Sequence, residues 1–477
     1  MDPAKLISLY RRTYGNDPDK IDELPSSGSN RRYFRLHGTP CVIGAIGTSA
    51  EENNAFITMA RHFHAQGLNV PEVLAVSDDG MVYLQTDLGD TILFNAIEKG
   101  RLTRAFSADE RELLVKTIRA LPDIQFRGAV GLDFGVCFPT SQFDARSVMW
   151  DLNYFKYCFL KATGLEFQED RLEDDFQTLT NVLLQSQGAT FMYRDFQSRN
   201  VIVKDGEPWF IDFQGGRRGP FYYDVASFLW QAKANFPDSL RRELIDEYIS
   251  SLRRYQPIDE EYFYDQLRHF VLFRTLQVLG AYGFRGYFEK KPHFMQSVPY
   301  AIANLRDLLK EHPYTEYPYL NEVLTRLVNL KQFSDTPGKK QLVVKVMSFA
   351  YKKGIPNDSS GNGGGFVFDC RAINNPGKYE RYKSFTGLDA PVIEFLEKDG
   401  EVTTFLEHCY ELADASVARY IERGFTNLMI CYGCTGGQHR SVYCAQHTAR
   451  HIAEKFNVKV ELVHREQNVE QVFEVRD

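Results

Sequence analysis

Residues 191–214, FMYRDFQSRNVIVKDGEPWFIDFQ, constrain the fold more than any other stretch. Two β-like runs, NVIV and WFID, flank KDGEP, and Asp205-Gly206 is the pair a two-residue hairpin turn prefers, because such a turn needs positive φ. A turn centred there pairs residues whose numbers sum to about 411, which sets Asn200 opposite Ile211 and beside Asp212. The hairpin thus brings an amide and a carboxylate together, and Asp195, on the preceding loop, faces the same space. A carboxylate that accepts or orients a hydroxyl, beside two oxygen ligands suited to Mg²⁺, is the layout that phosphoryl transfer uses.

One seam divides the 477 residues, a length that allows several domains with real cores. Helical periodicity over 320–330 (LNEVLTRLVNL) gives way to polar QFSDTPGKK, with a Pro-Gly break, and then to β-rich QLVVKVMSF. The expected domains are therefore 1–333, with a small lobe over 1–90 and a large lobe over 91–333, and 334–477. Strands are expected at YFRLHG, PCVIGAI and MVYLQTDL, and helices over 109–119, 147–161 and 172–185. Beyond the seam, strands GFVFDCR and LMICYG alternate with helices near 402–423 and 441–456, the pattern of a small parallel or mixed sheet; SSGNGGG, 359–365, reads as a loop. The first 335 residues carry 38 Lys+Arg against 45 Asp+Glu and the rest 18 against 18, so the front part argues against non-specific nucleic-acid binding. No run approaches the roughly 18–20 apolar residues of a membrane span. MDPAKLISLYRRTYG lacks a signal core and the 8 cysteines are sparse, so a cytoplasmic protein with reduced thiols and no membrane association is expected.

YRDFQSRN resembles the HxDxxxxN loop of the aminoglycoside and choline kinase superfamily, with Tyr193 at the usual scaffold histidine. The resemblance implies an α+β, protein-kinase-like, two-lobed domain that uses ATP and Mg²⁺. It gives Asp195 the catalytic role, Asn200 and Asp212 the metal, and Asp224 the bracing of the loop. In LPSSGSNRRYFRLHG, a Gly/Ser turn between strands would bring the amides of Ser26, Ser27, Gly28, Ser29 and Asn30 to phosphates. YLQTDLGD resembles the hinge, with main chain at Thr86, Asp87 and Leu88 holding adenine. The strand CVIGAIG should offer a cation to the phosphates and places Gly44 there. Either Arg31 or Arg32 supplies it, or the domain is a regulatory pseudokinase or adapter. GSNRRYFRL, TDLGD and 276–302 (LQVLGAYGFRGYFEKKPHFMQSVPYAI) look like the cell-wall kinases that phosphorylate N-acetylmuramate and N-acetylglucosamine at C1, which implies an amino-sugar substrate. A choline- or aminoglycoside-type kinase fits the acidic front part. Trp150, Asp151 and Tyr154 of MWDLNYF suit either an acceptor-site lining or a helix core.

In the tail, a strand-like run ends at Tyr432, GCTGGQHR makes a glycine-rich turn, and 441–456 places Val442, Ala445, Ile452 and Phe456 on one helical face. A strand, glycine-rich anion loop and helix in a small α/β domain present N–H groups to an anion, with Arg440 adding a guanidinium. Cys434, Arg440 and Ser441 also fit the CxxxxxR pattern of cysteine-dependent phosphatases. Cys431, Cys434, Cys444, His447 and His451 make a zinc site arithmetically available, although the first two sit on strand and loop. SFAYKKGIP, FVFDCRAINNPG, TGLDAPVIEFLE, GCTGGQHRSVY and VHRE, in that order, resemble the C-terminal domain of RapZ, the RNase adapter family. That resemblance implies a hexosamine phosphate ligand and, in the family, small RNA and a ribonuclease. By position the sugar-phosphate residues are Cys434, Thr435, Gly436, Gly437, Gln438, His439, Arg440 and Ser441, joined by Asp369, Arg371, His464 and Arg465. The family's nucleotide-binding half is missing, since no GxxxxGK[ST] occurs. Lys352, Lys353, Lys378, Arg381 and Lys383 could form a basic strip for RNA, but the equal number of acidic residues in the tail makes a solvated face the expected reading.

Overall fold

The structure is a computed structural model that describes residues 3–25, 31–186, 188, 190–295, 297–333, 342–358, 365–422 and 425–474. The chain forms two compact units, Met1–Ser334 and Asp335–Asp477. The phosphate-loop residues Ser26, Ser27, Gly28, Ser29 and Asn30, and 359–364 of the glycine-rich patch, lie outside the described residues.

The first unit opens with an antiparallel sheet of β1 (Lys20–Glu23), β2 (Arg32–His37), β3 (Val42–Ile46), β4 (Val73–Val76) and β5 (Val82–Thr86), in the order β1-β2-β3-β5-β4. Alternation sorts its side chains. Val42 and Ile46 join Leu6, Leu9 and Tyr10 of the Ala4–Tyr14 helix, whereas Ala45 and Tyr83 join Ala55 and Phe56 of the Ala50–Ala65 helix. Ser49 caps that second helix, accepting the Glu52 N–H at 3.2 Å.

The large lobe is mostly helical and has one apolar core, through which the Glu260–Gly283 helix passes with Phe270, Phe273 and Leu276 fully enclosed. A helix hydrophobic all round must be covered all round. At Gly280 an added Cβ would lie 2.9 Å from the Phe155 nitrogen, so only glycine lets the Ala145–Phe155 helix pack this closely. Strands β6 (Phe191–Met192) and β9 (Arg217–Arg218) pair across the loop that carries Asp195. Between them β7 (Val201–Lys204) and β8 (Glu207–Phe210) form the expected hairpin: Val201 faces Phe210, and Asp205 and Gly206 have φ of 53° and 75°.

In the second unit β10 (Val343–Ala350), β11 (Gly365–Asp369), β12 (Asn427–Cys434) and β13 (Lys459–His464) are parallel, and β14 (Val469–Phe473) pairs antiparallel with β13, in the order β11-β12-β10-β13-β14. The sheet is therefore mixed. Its helix-covered face packs Val344, Val346, Ile430 and Tyr432 against Val417, Ala445 and Ile452; the opposite face carries Met347, Phe349, Met429 and Cys431. No helix among the described residues is long and apolar enough to cross a membrane.

Candidate active site and anion loop

The 193–200 loop is tied down from below. Asp224, fully buried at the head of the Tyr222–Leu229 helix, accepts the amides of Tyr193 and Arg194 and Nε2 of Gln125, each at 2.9 Å. Burial pushes its carboxyl up to about 6 despite these donors. The buried Tyr193 hydroxyl donates to the Ile211 carbonyl, linking the loop to the residue just before Asp212. The Ile211 amide in turn donates to the Asn200 carbonyl at 3.0 Å.

On this frame the three polar residues converge as their spacing implies. Asn200 Nδ2 donates to the Asp195 carbonyl at 2.9 Å, which leaves Oδ1 as the amide's acceptor atom. The Asp195 carboxylate, more than half exposed, receives Nη2 of the enclosed Arg274 at 3.1 Å on one oxygen, Oδ1. Asp212 sits at φ 67° and accepts Gln214 Nε2 at 2.6 Å. Burial raises its carboxyl and the nearby Asp195 adds to this, while Gln214 and Arg31 oppose it. A carboxylate strained upward in this way, beside an amide oxygen, is a donor set that fits Mg²⁺. Phe213 follows, its ring 5.0 Å from Phe56 of the Ala50–Ala65 helix.

Arg31 enters the same space. It is buried, its Nη2 lies 3.3 Å from Glu52 of the Ala50–Ala65 helix, and its Nη1 donates to the Tyr33 hydroxyl at 3.4 Å. Its charge acts on Asp212. The expectation that Gly44 marks the vacant cation position needs correction: a side chain there would run into Leu6 and Leu36, on the face turned away from the Ala50–Ala65 helix. The neighbour facing that helix is Ala45. Arg32 is also corrected, because β2 alternation turns it the other way, and both Nε and Nη2 go to Glu23 at 2.7 and 2.8 Å.

At the hinge the Thr86 amide is taken by the Glu72 carbonyl at 3.0 Å, so Thr86 offers no free N–H to a base. The Asp87 side chain is a structural anchor: burial works against its charge, but Arg35 and the Gly89 amide hold it below the usual carboxylate range. Leu88 is buried beside it. Near Asp195, Asp151 pairs with Arg194 at 3.0 Å, whereas Trp150 is two-thirds exposed and belongs to neither core nor cleft; Tyr154 lies against Phe284. Arg274, Glu52 and Gln214 were missed. Arg274 alone left a signal, a single cation inside the apolar run HFVLFRTLQVLG. A cavity of about 420 Å³ between the Asp238–Leu252, Glu260–Gly283 and Val298–Glu311 helices is lined by none of Asp195, Asn200 and Asp212.

In the second unit β12 ends at Cys434 and the Arg440–Phe456 helix starts six residues later. Cys434 Sγ accepts the Gly437 amide at 3.2 Å and lies 3.2 Å from Ser441 Oγ. Gly437 holds φ 66°, and an added Cβ would meet the Ala350 nitrogen at 2.8 Å, so glycine is required. Thr435 and Gly436 are exposed at the mouth. Gln438 and His439 turn their side chains to the carbonyls of Lys383 and Tyr382. Arg440 is buried, and its Nη1 donates to the carbonyls of Arg371 and Ile373 at 2.9 and 2.8 Å, so part of the expected anion fork braces the 371–373 segment. Asp369 and Arg371 pair with each other at the end of β11, leaving neither as a free charge. His464 is corrected: fully buried between Ser348 and Gln446 and depressed to about 4 by burial, it is a neutral core residue. Arg465 instead binds Glu466 and the Ala350 carbonyl. Cys431 faces the opposite side of the sheet from Cys434 and Cys444, which separates the cysteines a zinc site would need.

The sequence matches the phosphotransferase enzyme family over residues 20–258 and the RapZ C-terminal domain over residues 342–468. A nucleotide-binding protein of Clostridium beijerinckii is 34% identical over 162 residues, 34% of this chain and 52% of that protein. The chain thus spans about half the length of the curated relatives it matches. Among solved structures, choline kinase from Cryptosporidium parvum Iowa II shares 11% identity at a TM-score of 0.46, covering 68% of this chain and 100% of that one. The gentamicin complex of APH(2")-IIa shares 14% at 0.44, covering 67% and 98%.

Proposed function

The chain belongs to the phosphotransferase enzyme family, and from that premise we propose that residues 1–333 transfer the γ-phosphoryl group of ATP to a hydroxyl of an amino sugar. N-acetylmuramate or N-acetylglucosamine, accepting at C1, fits the resemblance best. The observation that carries this reading is the convergence of Asp195, Asn200 and Asp212 on a loop braced by Asp224. Arg274 holds one Asp195 oxygen and leaves the other to orient the acceptor hydroxyl toward the phosphoryl group. Asn200 and Asp212 would hold Mg²⁺, which when bound neutralises charge on the ATP phosphates. Arg31, fixed by Glu52, takes the phosphate-facing role that β3 leaves empty, which favours catalysis over a pseudokinase. A turnover screen with ATP across amino sugars, choline and aminoglycosides tests the reading. Phosphorylation of an amino sugar above the others supports it, and turnover confined to choline or an aminoglycoside removes the sugar assignment.

Residues 334–477 are, in this proposal, a receptor for a hexosamine phosphate, with the phosphate over the 434–441 loop. Calorimetry of the full chain with glucosamine-6-phosphate checks it, and absence of heat counts against it.

A further inference from the structure

The 434–441 loop holds more than a phosphate receptor requires. A receptor for an anion gains nothing from a negative sulfur at its floor, because like charges repel. Yet the contacts around Cys434 favour that charge. Burial raises other thiols of this unit, Cys409 to about 11 and Cys431 to about 12. Cys434 is equally buried and moves the other way: burial alone would raise it, but the Ser441 hydroxyl and amide, the Gly437 amide and the Arg440 charge bring it below the ordinary thiol value.

Arg440 is the second, independent feature. Only 5% of it is exposed, Nη1 is fixed by two carbonyls, and Nε has no hydrogen-bond partner among the described residues. A buried guanidinium whose Nε lacks a partner, in a loop whose contacts favour the thiolate form of Cys434, suits a tetrahedral dianion as occupant. The amides of Gln438 and His439 also have no acceptor among the described residues, as an anion loop at a helix N-terminus requires.

We propose that Cys434 is a nucleophile toward phosphorus, and that the second unit hydrolyses a phosphomonoester of the sugar-phosphate class. This rests on the reading of the loop as a phosphate site. Sγ forms a bond to phosphorus as the ester P–O bond breaks, and the departing alkoxide takes a proton from water. A second water, giving a proton to the hydroxide left by the first, then attacks phosphorus, the S–P bond breaks, inorganic phosphate leaves and the thiolate returns. The unpartnered Arg440 Nε donates to an equatorial oxygen, and Ser441 and Gly437 stabilise the sulfur as it leaves.

The test uses the full chain without ATP, so that the kinase site is silent, and measures phosphate release from p-nitrophenyl phosphate and glucosamine-6-phosphate. Wild type is expected to release phosphate and to show a phosphate adduct on Cys434 after acid quench. Cys434→Ser is expected to lose about two orders of magnitude or more in rate while still binding glucosamine-6-phosphate in calorimetry, which also verifies its fold. Binding by wild type without release from either ester, or release undiminished in Cys434→Ser, overturns the proposal and leaves the receptor standing. If wild type shows neither binding nor release, the phosphate reading of the loop falls, and the proposal with it.

Discussion

Replacing Tyr193 by Phe removes one oxygen from the candidate active site and leaves the ring. That hydroxyl is the side-chain link between the catalytic loop and the strand end before Asp212, since it donates to the Ile211 carbonyl. The ring itself stays held, packing against Phe196 at 5.4 Å and Phe213 at 6.2 Å. Its site is dry, with Tyr193 only 1% exposed, so water cannot replace the donor. Leaving a buried carbonyl without its donor costs about 1–3 kcal/mol. For a unit spanning Met1–Ser334, an unfolding entropy of about 2.1 cal/mol/K per residue makes each kcal/mol worth roughly 1.5 °C in Tm, so thermal unfolding should fall by roughly 1.5–4 °C. The kinetic effect is separate. Asp212 follows Ile211 at positive φ, and freeing its neighbour loosens the metal carboxylate. Partners one shell out from a metal commonly contribute about 10–100-fold in affinity, so the Mg²⁺ concentration for half-maximal turnover should rise by about that range. Steady-state ATP turnover titrated with MgCl₂, alongside a thermal melt, reads both. Wild-type Tm together with wild-type Mg²⁺ dependence would refute the bridge.

Arg31→Ala should raise the KM for ATP on the order of tenfold or more, and Arg31→Lys should recover part of it, if a cation fixed by Glu52 serves the phosphates. Equal KM values in all three forms would place the cation elsewhere. Asp224 supplies a pH test: its carboxyl stands at about 6 in the fold against an ordinary 3.8, so its contribution is complete below about pH 4 and is lost as pH rises through 6, amounting to about 3 kcal/mol. Subtracting the stability of Asp224→Asn, measured by urea unfolding, from that of wild type should give a difference that falls across pH 4–6; a flat difference would show that Asp224 does not titrate there. Arg440→Ala should weaken glucosamine-6-phosphate binding by about 1.5–3 kcal/mol, and unchanged calorimetry would remove it from the anion site.

Much of this was legible because local chemistry and fold agree. Asp205-Gly206 can form only a few turns, and the turn fixes the register, so Asn200 and Asp212 follow from counting. GCTGGQHRS likewise declares a turn between strand and helix, and the structure puts it there. What the residues alone hid were contacts across long sequence separation. Arg274 reaches Asp195 from a helix 79 positions away, and Glu52 reaches Arg31 from another element. Pairing of that kind depends on packing, and neither spacing nor periodicity encodes it. The misplacement of the vacant cation at Gly44 had a simpler cause. A shift of one residue along a strand exchanges its faces, and the face of β3 was set by the Ala4–Tyr14 helix, whose packing the short runs did not reveal. His464 was misread for a related reason: it stands at a strand end, but both its ring nitrogens are satisfied within the fold, as is the Thr86 amide at the end of β5.

The central claim, that the loop ending at Asn200 orients an acceptor hydroxyl for phosphoryl transfer, is tested most directly by Asp195→Asn. The variant keeps an oxygen for Arg274 and loses only the charge. Turnover of ATP with the best amino sugar from the screen, followed by ³¹P NMR of the product, should show kcat reduced by about 10²–10⁴ with the KM for ATP nearly unchanged, because the carboxylate acts in the transition state. Turnover at the wild-type rate in Asp195→Asn would contradict the account and place the phosphoryl-transfer chemistry elsewhere in the chain.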